Sequence, residues 1–181
     1  MNRKLDSRGF TLWFTGLSGS GKTTIADALA PMLREKGMKV ERLDGDIVRQ
    51  SLTKDLGFSA EDRNANIERV TFVAKLLTRN DIAVLATFIS PYIGMRQKAR
   101  EEIGNFIEVF VKCSLDGCIK RDPKGMYKKA LAGEIKDFTG IHDTAPFEEP
   151  PNADIVLDTE QNSLEECLQQ VLDKLADLEY L

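Results

Sequence analysis

Eight residues near the start of the chain, Gly16 to Thr23, match the pattern G-x-x-x-x-G-K-[ST]. Glycines let backbone N–H groups close around phosphate oxygens, and the amino end of a following helix adds partial positive charge. In such a loop Lys22 reaches the β- and γ-phosphates, and the Thr23 hydroxyl can bind Mg²⁺. A chance glycine-rich turn is the alternative, and at ordinary residue frequencies it arises less than about once in a hundred chains of this length. The loop therefore predicts a nucleoside triphosphate bound by Gly16, Leu17, Ser18, Gly19, Ser20, Gly21, Lys22, Thr23 and Thr24.

Two aspartates around a glycine, Asp44-Gly45-Asp46, follow the second apolar segment of the chain. At the mouth that holds the phosphate loop, these carboxylates could hold Mg²⁺ through water and accept a hydroxyl proton, and phosphoryl transfer needs both roles. A turn that caps the next helix is the alternative. The position beside the phosphate loop favours the catalytic interpretation.

Other polar residues near strand ends and helices leave two interpretations open. Ser90 can cap the helix that follows it, with Pro91 at the first helical position, or it can contact a substrate. A solvated helical face is the favoured interpretation of four arginines, Arg63, Arg69, Arg96 and Arg100. Arg121 and Lys124 lie beside a turn and are suited to close over polyphosphate, whereas His142 is interpreted as structural.

The chain alternates between apolar segments and amphipathic ones from end to end. Five strands are predicted at Thr11–Thr15, Lys39–Leu43, Ile82–Ile89, Ile107–Lys112 and Ile155–Leu157. Six helices are predicted at Thr23–Lys36, Asp46–Ser51, Asn64–Arg79, Pro91–Ile103, Leu115–Arg121 and Ser163–Leu178. This alternation predicts a three-layer α/β fold of the P-loop NTPase type, with a parallel sheet of about five strands and helices on both faces. Residues 122 to 152 lack strong periodicity and are a candidate mobile lid.

Composition limits the classes of function that are compatible with this chain. Its 181 residues suggest a single domain, and a net charge of −4 without a basic block argues against a nucleic-acid partner. No apolar stretch approaches the 18 residues of a membrane span, and the polar start of the chain lacks a secretion signal, so we expect a cytoplasmic protein. Three cysteines without a C-x-x-C pair, together with a single histidine, argue against a structural zinc site, and Cys113 and Cys167 are expected in the core.

Missing motifs narrow the class further. The chain has no N-K-x-D sequence for reading guanine, which argues against a GTPase. The segment Ile155–Glu160 is similar to the apolar strand and acid of ATPase motors, but it lies on the last predicted strand, so we interpret it as unrelated. What remains is a small P-loop kinase that acts on a small molecule.

The sequence resembles the adenylylsulfate kinase (APS kinase) family over roughly residues 10 to 160. The phosphate loop is shared by many families, whereas the strings Asp-Gly-Asp, Phe-Ile-Ser-Pro and Phe-Thr-Gly-Ile together are far more specific. The matching segments, in family order, are Leu12–Ala26, Leu43–Asp46, Val48-Arg49, Asp55–Ser59, Asp62-Arg63, Asn66-Ile67, Phe88–Pro91, Arg121–Gly125 and Phe138–Ile141.

The resemblance implies MgATP-dependent phosphorylation of the 3′-hydroxyl of adenosine 5′-phosphosulfate (adenylylsulfate), which gives 3′-phosphoadenylylsulfate for sulfate assimilation. It implies catalytic roles for Lys22, Asp44 and Asp46, with Asp46 as general base and Thr23 and Asp44 as magnesium ligands. Ser90 would be a phosphoenzyme candidate, although direct in-line transfer is preferred because no base lies nearby in sequence. The implied substrate contacts are Asp46, Arg49, Phe58, Arg63, Asn66, Ile89, Ser90, Lys124 and Phe138, and Arg121 and Thr159 would neighbour the ATP.

The chain departs from the usual family pattern at several positions. Ile47 stands where Asn is usual, Glu68 where Arg is usual, and Ile93 where Arg is usual. The resemblance implies a homodimer or higher assembly, and the short stretch before Phe10 fits a fusion to, or association with, ATP sulfurylase. Two alternatives stay open: a degenerate nucleotide-binding domain that regulates a fused sulfurylase, and a P-loop kinase for another small molecule.

Overall fold

The apolar segment before the phosphate loop forms a fully buried strand, β1 (Phe10–Thr15). The computed structural model describes residues 8–181, and within it β1 is the middle strand of a sheet. It pairs in parallel with β3 (Ile82–Thr87) on one side and with β4 (Phe106–Lys112) on the other. The edges are β2 (Lys39–Asp44), parallel to β3, and β5 (Ile155–Asp158), parallel to β4. The order β2-β3-β1-β4-β5 confirms the predicted five-stranded parallel sheet.

In the described part of the chain, seven helices accompany this sheet: α1 Lys22–Glu35, α2 Gly45–Gln50, α3 Ala60–Thr78, α4 Ile93–Ile103, α5 Leu115–Arg121, α6 Met126–Leu131 and α7 Leu164–Asp177. Successive side chains of β1 point to opposite faces, as the pleat of a strand requires. Leu12 packs in a core with Leu29 of α1 and Val171 of α7, whereas Trp13 packs in a second core with residues of α3 and α4, among them Val70. Helices therefore cover both faces, and the three-layer architecture is confirmed.

Three boundaries differ from the sequence prediction by two residues or more. Helix α3 begins four residues early, because Ser59 is its N-cap and the Ser59 side chain accepts a hydrogen bond from the Asp62 N–H. Strand β3 ends at Thr87, two residues before the predicted Ile89. The interpretation of Ser90 as a helix cap is wrong, because α4 begins at Ile93 and its N-cap is Tyr92.

The segment from residue 122 to residue 152 contains one short helix, α6, that the sequence analysis did not predict. The Asp122 carboxylate begins it by accepting hydrogen bonds from the N–H groups of Tyr127 and Lys128. Tyr127 and Phe138 from this segment pack in a third core with Cys118 of α5. The segment is therefore anchored by an apolar cluster of its own, and its mobility stays a prediction.

Other expectations concern the ends and the cysteines. Cys113, Cys118 and Cys167 are all free and buried, so the core role expected for Cys113 and Cys167 is confirmed. Within residues 8–181, no helix combines the length and the apolar character needed to cross a bilayer. The start of the chain, on which the expectation about a secretion signal rests, lies outside the described residues up to residue 7.

Candidate active site

The phosphate loop joins the carboxyl end of β1 to the amino end of α1. Gly16 has a φ of +147°, and a Cβ there would lie 2.5 Å from the carbonyl oxygen of Val111 in β4. Gly21, the N-cap of α1, has a φ of +109°. Both positions require glycine, since L side chains rarely adopt such backbone angles and the space at Gly16 is closed. The loop therefore presents unpaired N–H groups of the first turn of α1, which is the arrangement that binds phosphate.

Lys22 is held inside this loop by two carbonyl groups. Its Nζ donates to the oxygen of Gly16 at 2.8 Å and to that of Leu17 at 2.7 Å. The pKa of Lys22 is lowered from 10.5 to about 8, mainly by burial. The charge of Lys124 acts in the same direction as burial, whereas Asp44 opposes the shift. A polyphosphate placed in the loop would supply the negative charge that favours the protonated lysine.

Asp44 connects the phosphate loop to the strand ends on the other side of β1. Its Oδ2 accepts hydrogen bonds from Thr23 Oγ1 at 3.0 Å and from Thr87 Oγ1 at 2.9 Å, and its Oδ1 accepts from the Asp46 N–H at 3.0 Å. Burial alone would raise the pKa of this carboxyl, but the three hydrogen bonds and the charge of Arg42 hold it below its usual value. Asp44 is thus both the N-cap of α2 and a fixed anion beside Thr23.

The pair Thr23 and Asp44 fits a magnesium ion by its chemistry. Mg²⁺ prefers oxygen ligands and commonly takes one or two from the protein, with waters and substrate phosphates supplying the rest. A threonine hydroxyl and an ionised carboxylate, 3.0 Å apart at the mouth of the phosphate loop, offer such oxygens. Among residues 8–181 there is no cluster of three or more His, Cys, Asp or Glu side chains able to hold a metal without such help.

Asp46 differs from Asp44 in its exposure. Its side chain is 64% exposed, and its Oδ2 accepts a hydrogen bond from the ammonium group of Lys124. Lys124 follows α5 at the start of the candidate lid, so the structure brings the lid to the second aspartate. An exposed carboxylate next to a fixed one suits the division of roles between proton acceptor and metal ligand.

Arg121 and Thr159 contact the backbone of the phosphate loop at Ser20, and their position beside ATP stays a prediction. Thr159 Oγ1 donates to the carbonyl oxygen of Ser20 at 2.9 Å, and Arg121 donates to Thr159 Oγ1 at 2.9 Å. Tyr127, which the sequence analysis missed, donates its hydroxyl to the carbonyl oxygen of Ser18 at 2.9 Å. Residues far apart in sequence therefore fix the loop backbone at the Ser18 and Ser20 carbonyl groups.

The last strand does not contribute to the reacting centre. Asp158 ends β5 at the edge of the sheet and forms an ion pair with Lys112 of β4 at 3.5 Å. Glu160 accepts hydrogen bonds from the backbone and side chain of Ser114. The similarity of this segment to a motor ATPase motif is therefore incidental.

Most of the predicted acceptor residues lie on α2, on α3, on the segment between these helices and in the lid. The Arg49 guanidinium stacks over the Phe58 ring at 4.3 Å, and 60% of Phe58 is exposed. Arg63 donates to the Phe58 carbonyl at 2.8 Å and also to Thr139 Oγ1 and to the Asp137 carbonyl. This buried arginine therefore joins the segment that carries Phe58 to the lid segment around residue 138, and the expectation of a solvated face is wrong for it.

Phe138 and Asn66 are both buried, and their roles in substrate binding stay predictions. Phe138 is only 9% exposed, and its ring meets that of Tyr127 edge-on at 5.0 Å. Asn66 is buried and accepts a hydrogen bond from Thr53 Oγ1 at 2.8 Å. His142 Nδ1 accepts a hydrogen bond from the Phe138 N–H at 3.0 Å, a contact that agrees with a structural histidine.

Ser90 is buried within a chain of hydrogen bonds that begins at Trp13 in β1. Trp13 Nε1 donates to Ser90 Oγ at 3.0 Å, Ser90 Oγ donates to Thr15 Oγ1 at 3.1 Å, and Thr15 donates to the Ile89 carbonyl at 2.7 Å. The serine hydroxyl is thereby occupied on both sides by neutral groups. Trp13 and Thr87 were missed, although reading polar residues at the carboxyl ends of the predicted strands could have found Thr87.

Two further arginines and two of the departures from the family pattern lie outside this group of residues. Arg69 pairs with Asp55 on the surface at 2.6 Å, and Glu68 pairs with Lys98 between α3 and α4 at 2.6 Å. Ile47 on α2 is 63% exposed. Arg96 contradicts the expectation of a solvated face, because its side chain is only 2% exposed and pairs with a residue of β4.

Comparison with known proteins decides the family. A family model described as adenylylsulphate kinase matches residues 8–158. The chain belongs to the adenylylsulphate kinase family. The adenylyl-sulfate kinase of Halothermothrix orenii is 56% identical over 176 residues, which are 97% of this chain and 94% of that protein. A Pseudomonas aeruginosa protein named "Probable adenylyl-sulfate kinase" is 63% identical over 168 residues, which are 93% of this chain and 78% of that protein.

Solved structures agree with this adenylylsulphate kinase assignment. The Mycobacterium tuberculosis APS kinase in complex with AMPPNP and APS is 45% identical, with a TM-score of 0.88, and the match covers 94% of this chain and 99% of that one. A hexameric APS kinase from Thiobacillus denitrificans is 36% identical with a TM-score of 0.72, and the match covers 97% of this chain and 30% of that one. The family consists of ATP-dependent transferases, and this chain is one of them.

Proposed function

We propose that this adenylylsulphate kinase transfers the γ-phosphate of ATP to the 3′-hydroxyl of adenosine 5′-phosphosulfate. The observation that carries the proposal is the juxtaposition of Thr23 and Asp44, 3.0 Å apart, with the exposed Asp46 two residues on. It places a phosphate loop, a fixed anion and an available carboxylate at one mouth of the sheet. The relative whose structure was solved with AMPPNP and APS supports the choice of acceptor.

In the proposed reaction the loop and Lys22 hold the donor, and the acceptor hydroxyl lies in line with the γ-phosphorus. The 3′-oxygen forms the new bond to phosphorus as the bond from phosphorus to the β–γ bridging oxygen breaks, and ADP leaves. The Asp46 carboxylate takes the proton of the 3′-hydroxyl. Magnesium, held by Thr23 and Asp44 together with the phosphates, would neutralise the charge that develops on them.

The acceptor is proposed to bind between α2, α3 and the lid. The exposed ring of Phe58, backed by Arg49 at 4.3 Å, offers a flat face for an adenine. In the arrangement described, Phe138 is buried against Tyr127, so its proposed stacking on the adenine requires the lid segment to shift. Arg63, Asn66 and Ile89 complete the proposed pocket, with Lys124 closing it from the lid.

Direct transfer is proposed over a phosphoserine intermediate at Ser90. The residue Ser90 is 2% exposed, and its hydroxyl lies between Trp13 and Thr15, neither of which is a base. A serine nucleophile needs a base within hydrogen-bond reach. Ser90 is therefore assigned to the wall of the acceptor pocket.

We also propose that residues 1–181 form one domain, that the segment 122–152 acts as its lid, and that copies of the chain assemble. The contact of Lys124 with Asp46 supports the lid, because it links that segment to the reacting centre. The hexameric relative supports assembly. Light scattering of the purified protein measures the assembly state, and co-purification tests an association with ATP sulfurylase.

A coupled assay of ADP release with ATP, Mg²⁺ and adenylylsulfate tests the function. Turnover that depends on adenylylsulfate is expected. Tight binding of adenylylsulfate without turnover would instead support a regulatory nucleotide-binding domain. ADP release with another acceptor, and none with adenylylsulfate, would identify a different small-molecule kinase.

Asp46→Asn tests the proposed base. The substitution keeps the size of the side chain and removes its basicity, so turnover is expected to fall by about 10²- to 10⁴-fold. The affinity for MgAMPPNP, measured by calorimetry, is expected to stay within about twofold, because the loop and Lys22 are untouched. Asp177→Asn is the matched control, since Asp177 ends α7 and is exposed. Near-normal turnover in Asp46→Asn would remove Asp46 as the base.

A further inference from the structure

Arg96 is a buried arginine that the proposed chemistry does not use. It lies in the first half of α4, and its side chain is 2% exposed. A buried guanidinium is costly unless its donors are satisfied by well-placed acceptors. The acceptors of Arg96 come from three separate parts of the chain.

Each nitrogen of the Arg96 guanidinium donates in a different direction. Nε donates to Glu108 Oε1 of β4 at 2.7 Å, Nη1 to the Ser90 carbonyl at 2.6 Å, and Nη2 to the Glu148 carbonyl at 2.7 Å. Glu108 therefore supplies the balancing charge, while the other two bonds hold backbone. A lysine has no planar fork and could not reach all three acceptors.

The Ser90 backbone that Arg96 holds is strained. Ser90 has a φ of +39°, in the left-handed region where side chains other than glycine are unfavourable. Such a conformation persists only where the surroundings fix it. The bond from Arg96 fixes the Ser90 carbonyl, and the bond from Trp13 fixes its hydroxyl. The turn after β3, which includes Ile89, thus owes its shape to both groups.

The second backbone held by Arg96 belongs to the end of the lid. The Glu148 N–H donates to the Pro91 carbonyl at 2.8 Å, and the Glu148 carboxylate accepts from the Ile93 N–H at 2.7 Å. The α4 N-cap, Tyr92, has no side-chain cap bond, so the Glu148 carboxylate serves the helix end instead. The chain that leaves the lid is therefore attached at Glu148 to the Arg96 side chain, to the Pro91 carbonyl and to the Ile93 N–H.

We infer that Arg96 is a positioning residue that sets the acceptor side of the site by fixing the Ser90 turn and the returning end of the lid together. The inference rests on the proposed function, because it assigns Ile89 and Ser90 to the acceptor pocket. It does not involve the phosphate loop, which Arg96 does not contact. Loss of Arg96 therefore impairs adenylylsulfate recognition selectively.

Steady-state kinetics of Arg96→Lys, with each substrate varied in turn, test the inference. The KM for adenylylsulfate is expected to rise by about tenfold or more, since small displacements of positioning groups have effects of this size. The KM for MgATP is expected to stay within about twofold, and a purely structural loss would not separate the two constants. Arg100→Lys is the matched control, because Arg100 lies one turn on and pairs with Asp154 at 2.6 Å, near the same Glu108. That control is expected to change neither KM by more than about twofold.

Glu148→Ala gives a second test that does not depend on a buried position. Glu148 is exposed, so the variant is expected to fold, and its KM for adenylylsulfate is expected to rise several-fold while Glu149→Ala leaves it unchanged. The inference would be overturned by equal rises in the KM values for adenylylsulfate and MgATP, or by an unchanged KM for adenylylsulfate in both Arg96→Lys and Glu148→Ala. Turnover of the wild type with adenylylsulfate would still support the proposed function in both cases. Absence of wild-type turnover with adenylylsulfate would refute the proposed function and, with it, this inference.

Discussion

The buried Lys22 leads to a quantitative prediction about proton uptake on nucleotide binding. Its pKa in the protein alone is about 8, against 10.5 for an ordinary lysine, which corresponds to about 3 kcal/mol disfavouring the charged form. Triphosphate oxygens placed beside Nζ favour the charged form and raise this pKa again. Nucleotide binding is therefore accompanied by protonation of the Lys22 side chains that are neutral in the free protein.

The size of this uptake follows from the free-protein pKa. At pH 7 about a tenth of Lys22 is neutral before binding, and at pH 9 about nine tenths is neutral. If the bound lysine stays fully charged, uptake grows from about 0.1 proton at pH 7 to about 0.9 at pH 9. Because the protonated form binds, the affinity is expected to fall as pH rises above about 8.

Titration calorimetry with MgAMPPNP in buffers of different ionisation enthalpy measures the uptake. The slope of the observed enthalpy against the buffer enthalpy equals the number of protons taken up. Lys22→Arg is the control, because arginine is charged at every pH used and its contribution should vanish. An uptake near zero at pH 9 in the wild type, or the same uptake in Lys22→Arg, would refute the reasoning.

Two further substitutions test the loop itself. Gly16→Ala should lower the free energy of unfolding by roughly 1–3 kcal/mol and weaken MgAMPPNP binding, because its Cβ would lie 2.5 Å from the Val111 carbonyl oxygen. Urea unfolding measures the loss of stability. Gly37→Ala is the control that separates crowding from backbone strain, because φ at Gly37 is also positive but no atom lies within 4 Å of its added Cβ. Tyr127→Phe removes the donor to the Ser18 carbonyl at 2.9 Å and should cost roughly 1–2 kcal/mol of stability. Unchanged urea midpoints would contradict either expectation.

The sheet and the phosphate loop were predictable because their signals are local. Apolar runs bounded by polar turns gave the five strands, and only β3 was predicted more than one residue too long at one end. The loop conformation depends on glycines at positions such as Gly16, where backbone angles and close approach leave no other choice. The short helix α6 was missed, because six residues are too few to display a helical period.

The sequence predictions were wrong at residues whose environment is set by packing between distant segments. Helical spacing places Arg63 and Arg96 on helix surfaces but does not say which surfaces the lid covers, and the structure buries both. The sequence left Ser90 open between a helix cap and a substrate contact. In the structure its backbone is left-handed, its carbonyl accepts from Arg96 and its hydroxyl accepts from Trp13. A cap is a local device, whereas this turn depends on tertiary contacts.

The sequence by itself determined the donor half of this protein, from Gly16 to Thr23, and the residue types that an acceptor pocket needs. The phosphate loop is recognisable from the sequence because its conformation depends on residues adjacent in the chain, whose backbone angles are set by local sterics. Only the tertiary structure decided that Asp44 meets Thr23 at 3.0 Å across 21 residues, and that Arg63 reaches Thr139 across 76. Such contacts depend on strand order and on how the lid packs, which the whole core specifies together.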